Sequence, residues 1–153
     1  YDNVTVSSTV IREELLEGRL DNANMLLGYN YFLSGIIVEG RKIGRSIGFP
    51  TANILPEANK LIPSNGVYAV EVLVEKSSFP GMLSVGTNPT IDSNNGVRSV
   101  EVNILNFDGD IYGTSITVIF RKRLRDERRF DSIDQLTQQM QKDKADTLEL
   151  FSL

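Results

Sequence analysis

The run Ser99-Val100-Glu101-Val102-Asn103-Ile104-Leu105-Asn106-Phe107 decides the fold. Its side chains alternate: Val100, Val102 and Ile104 fall on one side, Glu101, Asn103 and Leu105 on the other. A strand turns successive side chains to opposite faces, so this is a β-strand with one face in a core. Five further runs rich in Val, Ile, Tyr and Phe share its character: Tyr31–Glu39, Thr51–Ile54, Gly66–Val74, Met82–Val85 and Ser115–Arg121. Clusters of Gly, Pro and Asn separate them. With no helical pattern between the strands, an antiparallel barrel or sandwich is expected.

Helical patterns flank this β region. Ser7, Ser8 and Thr9 are suitable helix-starting residues before Val10–Leu16, with Gly18 as a stop; Asp21 opens a second short helix that Gly28 closes. At the other end Ser132 and Gln135 suit a capping box, and Ile133, Leu136, Met140, Leu148 and Phe151 fall near one helical face. This last helix is expected to pack on the β-structure. Residues 92–97 read as an exposed turn.

Composition narrows the chemistry. The chain has 153 residues, enough for one domain with a core and a short appendage. It is 41% hydrophobic and 24% charged, without an apolar run of the roughly 18 residues that a membrane helix needs. No secretory signal opens it, and with no cysteine there is no disulfide or thiolate chemistry, which fits a reducing cytoplasm. The absence of histidine excludes Ser-His-Asp hydrolysis and His-ligated zinc, so proton transfer near neutral pH falls to carboxylate, lysine or tyrosine. A net charge of −4 gives no overall attraction to nucleic acid. The one basic cluster, Arg121–Arg129, reads by default as a solvated loop or helix edge.

A second stretch points to a ligand: Gly44-Arg45-Ser46-Ile47-Gly48-Phe49-Pro50-Thr51-Ala52-Asn53. Gly44 and Gly48 permit close backbone approach to a ligand, Arg45 and Lys42 carry positive charge, and Pro50 fixes the chain entering Thr51. On an extended backbone the Thr51 hydroxyl and the Asn53 amide oxygen point to one side, two hard oxygens of the kind Mg²⁺ prefers beside substrate phosphates. The alternative is a glycine-rich turn before a strand, with Asn53 bonded to nearby backbone. Glu101 is likewise open on pattern alone: a solvent-facing strand residue, or a carboxylate on a rigid element able to take a proton from an alcohol. Asp108-Gly109-Asp110 reads as a hairpin turn rather than a set of metal ligands, and Tyr112 as a core or rim aromatic rather than a catalytic phenol.

Taken in order, these motifs resemble those of the riboflavin kinase family. The signatures are Gly44-Arg45-x-x-Gly48-Phe49-Pro50-Thr51-Ala52-Asn53, Gly66-Val67-Tyr68, Ser84-Val85-Gly86-Thr87-Asn88-Pro89-Thr90, Glu101, Asp110-Ile111-Tyr112-Gly113 and Leu124–Ser132. The resemblance implies a mainly β fold, a six-stranded antiparallel Greek-key barrel with a C-terminal helix and a short N-terminal helical hairpin. It implies transfer of the γ-phosphoryl group of ATP to the 5′-hydroxyl of riboflavin, giving FMN and ADP, assisted by Mg²⁺.

It also implies roles for residues. Gly44, Arg45, Gly48, Pro50, Thr51 and Asn53 would bind ATP, Thr51 and Asn53 would hold the metal, and Glu101 would be the base. Arg125, Glu127 and Phe130 would bind the flavin on a second closing loop, with Gly40–Gly48 as a flap over ATP. One departure stands out: many members carry histidine two residues after the glutamate, where this chain has Asn103. Residues 1–28 resemble the end of the adenylyltransferase module that precedes this kinase in bacterial bifunctional FAD synthetases, so residues 29–153 form the expected kinase domain. That module's histidine motif is missing, and this chain is not expected to make FAD by itself. Two rival readings remain, a flavin- or nucleotide-binding barrel without chemistry and a nucleic-acid-binding barrel, the latter disfavoured by charge.

Overall fold

Alternating apolar residues build six strands, β1 (Phe32–Val38), β2 (Ala52–Pro56), β3 (Gly66–Val74), β4 (Ser77–Thr87), β5 (Arg98–Ile104) and β6 (Ser115–Arg125). The computed structural model describes residues 8–38, 51–57, 60–87, 98–107 and 111–151. All strand pairs are antiparallel. They close into a barrel in the order β1-β2-β5-β4-β3-β6, in which β2 lies beside the far strand of the β3-β4-β5 meander, a Greek key. Closure leaves no unpaired sheet edge.

The barrel interior is filled from every strand. Leu33, Ile37, Ile54, Tyr68, Val70, Val72, Leu83, Val85, Val100, Val102, Val118 and Phe120 belong to one core cluster. Tyr68 and Phe120 meet edge to face with centroids 5.1 Å apart, the arrangement favoured by ring quadrupoles. Val100 and Val102 are on the core face, as the alternation of 99–107 predicts, and Glu101 is on the opposite face.

The N-terminal hairpin is part of this core. α1 (Ser8–Leu16) and α2 (Leu20–Leu27) supply Leu15, Leu20 and Ala23 to the same cluster. Gly18 and Gly28 stop the two helices with φ of 79° and 82°, conformations that glycine adopts without a Cβ penalty. Polar bonds lock the joint: Asn24 Nδ2 donates to the Phe120 carbonyl at 3.1 Å, and the Tyr31 amide donates to Asn24 Oδ1 at 2.8 Å. The Ser64 amide donates to the Leu15 carbonyl at 3.0 Å.

Three elements differ from the sequence reading. β4 begins at Ser77, because Glu75-Lys76 makes a two-residue turn with Val74 opposite Ser77 and Glu75 at φ 56°; no glycine marks that turn. β6 runs on to Arg125, so the first half of the basic cluster is strand, paired with β3 along its length. The C-terminal helix α3 (Ile133–Phe151) starts as expected, with the Gln135 amide donating to Ser132 Oγ at 3.1 Å. Its apolar stripe is narrower than expected: Met140 and Leu148 pack on Met82 and Leu105, whereas Ile133 is exposed. The two side chains α3 buries are polar, Asp143 and Thr147.

Candidate functional site

Helix α3 packs on Met82 of β4 and on Leu105 just past the end of β5, at one end of the outer face of these strands. On the remainder, strand register brings Asn53 of β2 opposite Glu101 of β5, and Glu101 opposite Ser84 of β4. The inward neighbours Ala52, Val102 and Val85 pack on or within the core. Period-two alternation therefore forces Asn53, Glu101 and Ser84 outward together. Glu101 is half-buried, and the Thr51 hydroxyl lies 3.4 Å from its Oε1. Two residues on, Asn103 is on the same face, 5% exposed and opposite Met82.

Asn53 Oδ1 is buried and accepts no hydrogen bond from any described residue. A buried acceptor left without a protein partner costs free energy, so a water, an ion or a ligand group is expected to meet it. With Thr51 Oγ1 and Glu101 Oε1 it forms a set of hard oxygens on adjoining strands. Among the described residues no group of three acidic, histidine or cysteine side chains clusters as a metal site. A set of one carboxylate and neutral oxygens fits Mg²⁺, which usually keeps water and substrate phosphates among its ligands.

The segment after β6 forms the other wall. Residues 126–130 have no regular secondary structure. The Glu127 carboxylate lies against the α-carbon of Gly86, where any Cβ would collide with it. Gly86 stands opposite Ser99 on β5, two residues or roughly 7 Å of strand from Glu101. Phe130 is half-buried, and the Arg125 and Arg128 guanidinium groups sit 5.7 and 5.0 Å from its ring centroid. The Arg125 guanidinium is turned to α3, where it forks onto Asp143, its Nη2 2.9 Å from Oδ2.

Of the residues singled out from sequence, the fold thus gathers Thr51, Asn53 and Glu101 into one patch, with Glu127 beside it; Phe130 lies farther along the same loop. Gly44, Arg45, Gly48 and Pro50 lie outside the described residues, as do Asp108–Asp110. Ser84 and Gly86 complete the patch; both sit in a quoted motif, yet neither carries a role by residue type alone. Asp143 also went unmarked, although an acid in the stripe Leu136, Met140, Asp143, Thr147, Phe151 is a visible break in the pattern.

A separate open cavity of about 380 Å³ lies between Gly18–Asn22 and Lys122–Arg125. Its cations are largely engaged. Arg123 donates to Asp126 Oδ1 at 2.8 Å and to the Asn65 carbonyl at 2.5 Å. Burial works against the Arg123 charge, but its bonds to Asp126 and Tyr68 hold its pKa above the ordinary value. The outer face around Glu101 is therefore the candidate site.

Comparison with known proteins identifies the family. The riboflavin kinase family model matches residues 27–151. The chain is 40% identical over 148 residues to the bifunctional riboflavin kinase/FMN adenylyltransferase of Bacillus subtilis, covering 96% of this chain and 47% of that protein. It is 42% identical over 152 residues to the protein of the same name from Escherichia coli, covering 98% and 47%. The chain thus spans about half the length of the curated relatives it matches.

Among solved structures, riboflavin kinase from Trypanosoma brucei superposes with a TM-score of 0.55 at 25% identity, over 78% of each chain. A Streptococcus pneumoniae protein described as a macrolide-efflux protein superposes with a TM-score of 0.86 at 39% identity, over 96% of this chain and 48% of that one. No described helix of the present chain is long and apolar enough to cross a membrane. The family match and the closed six-stranded barrel converge: the chain belongs to the riboflavin kinase family, enzymes that phosphorylate riboflavin with ATP.

Proposed function

We propose that this chain transfers the γ-phosphoryl group of ATP to the 5′-hydroxyl of riboflavin, releasing FMN and ADP, on the patch formed by Thr51, Asn53 and Glu101. The observation that carries the reading is the placement of Glu101 directly across from Asn53, whose buried Oδ1 has no partner among the described residues. A carboxylate beside neutral oxygen donors pairs a proton acceptor with a metal and phosphate end.

Each residue has a distinct task. Glu101 orients the attacking hydroxyl and takes its proton as the O–P bond forms and the bond from the γ-phosphorus to the bridging oxygen of ADP breaks. Held on a central barrel strand between β2 and β4, it loses little precision to motion. Thr51 and Asn53 would hold Mg²⁺ with the nucleotide phosphates, and the ion when bound supplies charge neutralisation on the transferring group. Phosphoryl transfer makes little other demand on a protein, since positioning and electrostatics carry most of the rate. Glu127 and Phe130 define the flavin end, with Arg125 behind them. Gly44, Arg45, Gly48 and Pro50, outside the described residues, would contribute the nucleotide end.

On this reading residues 29–153 form the kinase domain, with the hairpin of residues 8–27 packed into its core, and residues 1–28 lead to it from an adenylyltransferase module in a longer cytoplasmic protein that would convert FMN to FAD. The relatives' bifunctional names and their roughly twofold length support that part.

Incubation with riboflavin and Mg-ATP followed by chromatographic separation of the flavins tests the reading. FMN and ADP are expected in equal amounts. Riboflavin binding with no FMN under any divalent metal would make the barrel a binding module instead.

A further inference from the structure

Asp143 takes no part in the chemistry above, yet it is the most heavily engaged acid on α3. It is 3% exposed. Arg125 Nε donates to its Oδ1 at 3.1 Å and Oδ2 at 3.0 Å, Arg125 Nη2 donates to Oδ2 at 2.9 Å, and Gln139 Nε2 donates to Oδ1 at 2.9 Å. Arg125 is the last residue of β6, immediately before the segment that carries Glu127 and Phe130, and its Nη1 donates to the Asp126 carbonyl at 3.2 Å. Farther along, Arg128 Nη1 donates to Gln139 Oε1 at 3.1 Å. One face of α3 therefore grips the 126–130 segment at its start through Asp143 and near its middle through Gln139. Phe130 lies against the guanidinium groups of both arginines.

A buried ion pair is a poor way to gain stability, because desolvation offsets most of the attraction. A planar guanidinium forked onto a carboxylate does fix direction, which an apolar contact does not. We propose that Asp143, acting through Arg125, is a positioning residue that sets the 126–130 segment over the flavin end of the site, holding Glu127 on Gly86 beside Glu101. The proposal rests on the riboflavin kinase reading. It makes the contribution of Arg125 indirect, since its guanidinium faces α3.

The test compares wild type, Asp143→Asn, Asp143→Glu and Gln139→Ala in three measurements: riboflavin affinity by fluorescence quenching, KM for riboflavin and for ATP separately, and tryptic cleavage after Arg128 and Arg129 well below the Tm. Misplacing a binding segment by about an ångström is expected to raise the riboflavin Kd and KM at least about tenfold in Asp143→Asn, with the ATP KM unchanged. Tryptic cleavage should accelerate, Asp143→Glu should recover part of the loss, and Gln139→Ala should show a smaller effect of the same kind. Riboflavin Kd, riboflavin KM and cleavage rate all at wild-type values in folded Asp143→Asn would overturn the proposal, as would losses that only track a lowered Tm. If Asp143→Asn fails to fold, the comparison rests on Asp143→Glu and Gln139→Ala, and wild-type behaviour in both overturns it. A wild-type chain that neither binds riboflavin nor forms FMN refutes the kinase reading and the flavin role with it. In that case slower cleavage in wild type than in Asp143→Asn still shows whether Asp143 sets the segment.

Discussion

Asn53 and Glu101 face each other across β2 and β5, with the Thr51 hydroxyl 3.4 Å from the Glu101 carboxylate. The amide oxygen of Asn53 is buried without a donor among the described residues. A buried acceptor without a protein partner costs free energy, so the group is better explained by a bound ion, water or ligand than by folding stability.

Asn53→Ala should therefore reduce FMN formation by about 10²-fold or more, through lost phosphate and metal contacts, with a change in Tm of no more than a few degrees. Steady-state kinetics over a range of Mg²⁺, paired with a thermal melt, check this. A variant that melts early and keeps its specific activity would contradict the assignment.

Leu15 tests the hairpin. It is 1% exposed, sits in the barrel core cluster, and its carbonyl accepts the Ser64 amide. Leu15→Ala should cost about 2–5 kcal/mol by loss of burial and creation of a cavity. Urea denaturation should show one transition moved to lower midpoint. A separate early transition with the barrel unaffected would mean that the hairpin folds by itself.

Tyr31 gives a pH dependence. Burial raises its pKa above the ordinary tyrosine value, outweighing the bond that its hydroxyl donates to the Leu61 carbonyl at 2.7 Å. The folded state thus holds the phenolic proton more tightly than the unfolded chain does. Its stabilising contribution is complete below about pH 10 and is lost as pH rises through the raised folded value. Tyr31→Phe should lower stability near pH 7 by about 1 kcal/mol for the lost hydrogen bond. Above about pH 10 its stability should fall less steeply than that of wild type. Denaturation midpoints at pH 7, 9.5 and 11 are the measurement, and parallel curves would refute the proton assignment.

Much of this was legible in the chain because strand parity is a strong signal. The alternation of 99–107 put Val100 and Val102 inside and Glu101 outside, and Thr51 and Asn53 shared a side for the same reason. The extent of β4 was hidden because Glu75-Lys76 turns without glycine and Pro80 weakens the strand pattern. The basic residues from Arg121 to Arg125 read as a solvated run, since nothing local reveals that Arg121 would reach Glu71 and the Phe151 ring, or Arg125 a carboxylate on α3. Docking of the hairpin was equally hidden. Leu15, Leu20 and Ala23 form an ordinary amphipathic pattern, and only the third dimension shows that the barrel covers it.

The most direct measurement is single-turnover formation of FMN by Glu101→Gln against wild type, at saturating riboflavin and Mg-ATP, with riboflavin affinity measured on the same samples. Glutamine keeps the size and a hydrogen-bonding oxygen but removes the proton acceptor. A loss of about 10²- to 10⁴-fold in the chemical step is expected, with riboflavin affinity and Tm close to wild type. FMN formation at the wild-type rate would contradict it.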